Sequence, residues 1–88
     1  MTRELVEIVA ELAHRVGLSE ENVRYLRSVF PGVHLTYCAD DDVQGVEPIL
    51  RLPGLNVYLV DRSDHCLRLS ADFSRATGLV LAEVIESD

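Results

Sequence analysis

The stretch from Val33 to Ser70 constrains this chain most. Apolar and polar residues alternate there at period two on both sides of a turn-forming DRSD. Such alternation marks strands with one buried face and one that meets water. In VHLTYC it puts Val33, Leu35 and Tyr37 on one face and His34, Thr36 and Cys38 on the other. Leu55 to Asp61 and His65 to Ser70 read as a hairpin. A loop of Arg62, Ser63 and Asp64 sets Asp61 opposite His65, Leu59 opposite Leu67 and Val57 opposite Leu69, with Tyr58 against Arg68 on the second face. A shorter loop would mix the faces and turn part of the buried set outward, so the first register is preferred. Asp64 tolerates the left-handed conformation that the last loop position needs.

Between these strands Pro48 and Pro53 break regular structure, so 40–54 is expected as a loop with one short edge strand near Ile49 to Leu52. Ala71 to Gly78 is polar and turn-rich, with room for one helical turn around Phe73 to Ala76. Leu79 to Ile85 closes the chain as a strand, and Glu86-Ser87-Asp88 is a tail.

Ahead of the sheet the period changes to that of a helix. Leu5, Ile8, Leu12 and Val16 recur at helical spacing, widened by Val6, Val9 and Ala13, while Glu4, Glu7 and Glu11 lie outside the stripe. Thr2 is the expected N-cap and Gly17 the stop. Ser19 caps a second helix whose apolar face is Val23, Leu26, Val29 and Phe30, ended by Pro31-Gly32. Residues 1–32 thus form a helix pair with a short connection.

Charge and size narrow the functional classes. Eighty-eight residues make one domain, and the small core leaves a homodimer interface as a natural supplement. Fifteen acidic residues against eight arginines, with no lysine, give a net charge of −7. That balance repels nucleic acid unless basic groups are segregated, and here they are scattered. Glu4, Glu7 and Glu11 rule out a signal-peptide core at the start, and no apolar run reaches the ~18 residues of a membrane span. Two cysteines without a secretion signal read as reduced thiols, and the expected location is the cytoplasm.

Four motifs compete with plainer readings. LAHRVGLSEENVRYL, residues 12–26, places Ala13, Gly17, Val23 and Leu26 as a helix-turn-helix would. Its second helix begins with Glu20-Glu21, however, which opposes approach to phosphates, so a helix pair packed on the sheet is the preferred reading. Asp40, Asp42, Gln44 and Gly45 match the first half of an EF-hand loop, but Arg51 stands where the bidentate Glu belongs, which makes the run a solvated acidic turn. His34 and Cys38 lie roughly 13 Å apart along a strand, and His65 and Cys66 point to opposite faces. No metal site is therefore expected within the chain, and no cofactor. Ser63, Asp64 and His65 are neighbours in a turn rather than convergent groups, so no catalytic set is expected.

What remains is a surface. The second face of the sheet is expected to present His34, Thr36, Tyr58, Val60, Cys66, Arg68, Leu79 and Leu81. The mixture of aromatic, aliphatic and polar groups suits a protein contact, with His34, Thr36, Tyr58, Cys66 and Arg68 as its core. The 39–54 loop folding across it is the competing arrangement.

The segments HLTYCADDDV, LNVYLVD, HCLRL and ATGLVLAEV resemble small uncharacterised bacterial proteins encoded near nitrogen-fixation genes. The resemblance implies a cytoplasmic accessory role in diazotrophs and carries over no site residue. Together these readings predict a single α+β domain over 1–88, with a helix pair at 1–32 packed on an antiparallel sheet of about four strands at 33–85. The expected function is that of a non-enzymatic accessory or adaptor protein working through protein contacts. A DNA-binding regulator using residues 12–26, and a metal or redox sensor using Cys38 and Cys66, are the alternatives.

Overall fold

The computed structural model describes residues 1–43, 46–61, 68–70, 72–73 and 76–85. Helix α1 spans Arg3–Val16. The Thr2 hydroxyl accepts from the Leu5 amide at 3.1 Å, and such a cap stabilises a helix by about 1 kcal/mol. The buried line is Val6, Val9, Ala10 and Ala13. Ile8 and Val16, expected on that face, are exposed, Ile8 by 56%. The apolar residues of α1 cover more than half its girth, and the small side chains of Ala10 and Ala13 select the side that approaches the sheet closely.

At Gly17 the chain takes φ +84, a conformation that favours glycine, and its amide donates to the Ala13 carbonyl. Helix α2, Glu20–Val29, starts from Ser19, whose hydroxyl accepts from the Asn22 amide. The Asn22 side-chain amide then donates to the Val16 and Gly17 carbonyls at 2.9 and 3.0 Å. One side chain thereby occupies carbonyls that the end of α1 would leave open. Val23 and Leu26 are buried, whereas Val29 is exposed, contrary to its expected place on the apolar face.

Five strands follow: β1 His34–Ala39, β2 Leu50–Leu52, β3 Leu55–Asp61, β4 Arg68–Ser70 and β5 Ala76–Glu83. The sheet runs β1-β5-β3-β2, and β4 pairs with β3 beyond β2's end. β2 meets residues 55–57 of β3 and β4 meets residues 59–61, so two short strands share one lane along β3. The α+β arrangement with N-terminal helices stands as expected, but the sheet is mixed: β1 runs parallel to β5, and the other pairings are antiparallel.

Burial explains the order. β3 and β5 are apolar at consecutive positions and lie inside the sheet, covered on both faces. β1, which alternates, takes an edge. The C-terminal strand β5 is therefore inserted between β1 and β3, an order that the sequence pattern leaves open. Gly78 permits that insertion. A Cβ at this position would stand 2.5 Å from the His34 carbonyl oxygen. A register shift in β3 against β5 falls beside it, between Val60 and Asp61.

β2 and β3 join through Pro53-Gly54, with Gly54 at φ +77, the pairing that a type II turn requires. The expected strand at 79–85 begins earlier, at Ala76, and ends at Glu83; at the turn expected near Phe73 to Ala76 the Ala76 amide donates to the Phe73 carbonyl at 3.4 Å, and residues 74–75 lie outside the described residues. Leu35, Leu55, Val57, Leu59, Leu79 and Leu81 face the helices, where they meet Val6, Val9, Ala13, Val23 and Leu26.

Candidate functional site

Just past the end of β1 the chain folds into a 3-10 turn, Asp40–Asp42, closed by the Val43 amide donating to the Asp40 carbonyl. Pleating sends Asn56, Tyr58 and Val60 of β3 to the sheet face away from the helices. There Asp40 Oδ1 accepts from Tyr58 Oη at 2.7 Å and from Asn56 Nδ2 at 3.0 Å. Neighbouring rows are fixed by register: Thr36, Val80 and Tyr58 in one, Cys38, Ala82 and Asn56 in the next.

This polar clasp changes what the predicted surface is. His34 and Thr36 are exposed on β1, as expected. Tyr58 is buried, 3% exposed, because the chain after β1 folds back over it. The competing arrangement proposed for the 39–54 loop holds at Asp40. Cys66 lies outside the described residues, as do His65, Leu67 and the Arg62-Ser63-Asp64 loop. Arg68 pairs with Asp61, and Leu69 with Val60, so the described part of the hairpin does not have the expected register, in which Leu69 faced Val57. The expected three-residue loop collects aliphatics on one face. The described ladder instead puts Leu69 on the Val60 side. Leu79 and Leu81 belong to the helix face, with Gly78, Val80 and Ala82 in the places expected for them. A run that is apolar at every position carries no parity to read.

Burial pushes the Tyr58 phenol above its ordinary value, and the Asp40 carboxylate adds to the effect. Cys38 is pushed up as well, first by burial and then by Asp42 and Asp40. A thiol held in its protonated form is a poor nucleophile and a poor metal ligand. Among the described residues no group of three or more His, Cys, Asp and Glu side chains is placed to hold a metal ion.

The free edge of β1 is the other feature. Among the described residues β1 pairs with β5 alone, so its far side presents backbone groups along six residues. Arg27 of α2 reaches over that side, and its Nε donates to the Leu35 carbonyl at 3.0 Å. Two open grooves flank the edge. One, of about 400 Å³, is lined by Arg27, Pro31, Val33, His34 and Thr36 among others. The second, of about 270 Å³, lies between α2 and β1 and is lined by Glu20, Arg24, Arg27, Thr36 and Tyr37. Tyr37 donates its hydroxyl to Glu83 at 2.7 Å, and this bond, more than burial, raises its phenol pKa. In the sequence Arg24 and Arg27 stand only as counter-charges to Glu20 and Glu21 in the helix-turn-helix segment, because only the sheet order reveals which strand α2 overhangs.

In the helix-turn-helix segment Ala13, Val23 and Leu26 are buried against the sheet, while Arg24 and Tyr25 are exposed. No helix among the described residues is long and apolar enough to cross a membrane. Residues 7–84 match the model of a family of unknown function. No curated protein and no solved structure matches the chain.

Proposed function

Because the chain belongs to that family, DUF6129, which carries no assigned activity, its own geometry has to supply the reading, and we propose that it is a non-enzymatic accessory protein acting through protein contact at the β1 edge. The observation that supports this is the side of β1 left unpaired among the described residues, six residues long, with exposed His34 and Thr36 and two grooves that meet at Arg27 and Thr36. Unpaired strand edges are templates for another chain, and natural proteins usually shorten, bulge or charge them. Here β1 carries no aspartate, glutamate, lysine or arginine, and no proline. The likeness to proteins encoded near nitrogen-fixation genes directs the search for the partner to that apparatus.

A photo-crosslinking residue placed at Thr36, compared with one at Ile8 on the far side of α1, tests this in native cells. A discrete adduct from position 36 and none from position 8 is the expected result. Equal adducts from both, or none, would remove the reading.

A further inference from the structure

Resting on that reading, we infer that the occupant of the β1 edge is an extended acidic segment of another protein, added as a strand, with its carboxylates on Arg24 and Arg27. Three observations converge on one side of the molecule. Among the described residues nothing pairs with the outward backbone of β1 apart from Arg27, which holds the Leu35 carbonyl. The grooves along it share Arg27, and the one beneath α2 adds Arg24. Both guanidinium groups lack an ion-pair partner among the described residues, whereas Arg3 and Arg15 each pair with a glutamate one helical turn away.

On a chain of net charge −7 this edge is thus a local concentration of positive charge. Glu20 also lines the lower groove and acts on Tyr37, whereas Arg27 sits at the Leu35 carbonyl, so the attraction is strongest toward Leu35. A strand added to β1 takes main-chain hydrogen bonds for affinity and uses alternate side chains for selectivity. Every second side chain would point toward α2, where Arg24 and Arg27 favour carboxylates. Arg27 has two states in this scheme. In the free protein it covers the Leu35 carbonyl and guards the edge. In the complex the incoming amide takes that carbonyl, and the guanidinium turns to the incoming acid.

A second copy of the chain fits less well. A two-fold contact uses the same patch twice, which would bring the Arg24 and Arg27 side of α2 against itself.

The probe is a short fluorescein-labelled peptide alternating valine and glutamate, titrated against the whole chain by anisotropy. It should bind, with amide shifts confined to His34–Ala39 and the facing turn of α2. A lysine-for-glutamate version should not bind. Glutamate peptide with alternate amides N-methylated should lose binding although its charge is kept. Arg24→Glu should weaken the complex roughly tenfold, as should Arg27→Ala. Arg24 is solvent-exposed, so its variant keeps the inference testable if Arg27→Ala disturbs β1.

Failure of the glutamate peptide to bind, binding insensitive to N-methylation or to Arg24→Glu, or shifts elsewhere would overturn the inference. So would competition by duplex DNA at equal charge, which would mark a general polyanion site, or a concentration-dependent dimer that the peptide cannot dissociate. If the crosslink at Thr36 forms while the peptide fails, the acidic chemistry is wrong and the contact surface stands. If the crosslink fails as well, both fall.

Discussion

Beneath the helices Leu59 and Leu79 sit among aliphatic side chains with no exposed surface, while on the opposite face of the same sheet Tyr58 is held by one carboxylate oxygen that it shares with Asn56. The first closure is non-directional and scales with apolar area. The second is a pair of directed bonds to a charged acceptor, each about twice as strong as a neutral hydrogen bond but dependent on one residue's position. The helix face should therefore carry the stability of the domain, and the Asp40 clasp should carry the local order of the chain leaving β1.

Leu79→Ala probes the first closure. The side chain is wholly buried between β1 and β3, so its truncation should cost about 3 kcal/mol, within the usual 2–5 for such a cavity. Urea unfolding measures it, and a loss under 1 kcal/mol would show that the helix face is not the main core. Gly78→Ala tests the joint between the two faces. Its Cβ would meet the His34 carbonyl oxygen at 2.5 Å, so β1 must move or detach, at a cost of about 2 kcal/mol. The same variant should speed amide exchange in β1 more than in the β2–β3 hairpin. Uniform exchange would mean that β1 is not a separable edge.

Sequence patterning already carried the first closure and little of the second. Period-two alternation in VHLTYC and LNVYLVD placed Leu35, Val57 and Leu59 on the buried side, and the caps at Thr2 and Ser19 stand where polar side chains precede helical periodicity. What the pattern could not give was the position of β5. Its apolar run serves either face equally, and parallel pairing with β1 depends on a steric allowance at Gly78 that no local signal announces. The site suffered most from this. Tyr58 and Asp40 lie 18 positions apart in the chain, and only the fold-back after β1 joins them. The acidic run was legible as a turn, but not as the cover of the sheet's second face.

Asp40→Ala separates the closures directly. It leaves the Tyr58 hydroxyl and the Asn56 amide without their acceptor in a half-dry setting, at a cost of about 1–2 kcal/mol. The loss should appear as faster exchange around Val43 and Asn56, with the helices barely affected. An equal effect on α1 would merge the two closures into one cooperative core.

The smallest effect is the most specific, because it reads the clasp through pH. Burial and Asp40 favour the neutral phenol of Tyr58, so its pKa in the fold lies above the unfolded value of about 10. The stability linked to that neutral form is fully present below the unfolded pKa and is lost as pH rises through the higher folded one. Tyr58→Phe keeps the ring, removes one donor to Asp40 and leaves Asn56 bonded, so near neutrality it should cost about 0.5–1 kcal/mol. Above pH ~10 the cost should shrink, because the variant has no phenol there to ionise. Tyr37→Phe supplies the contrast: its hydroxyl is held up chiefly by the bond to Glu83, so it too should flatten the alkaline limb, but without the faster exchange at Val43. Urea midpoints followed from neutral to alkaline pH distinguish the two. An alkaline slope unchanged by Tyr58→Phe would mean that the phenol is not buried under Asp40, and the difference between the two faces would reduce to one apolar core with a loose acidic loop beside it.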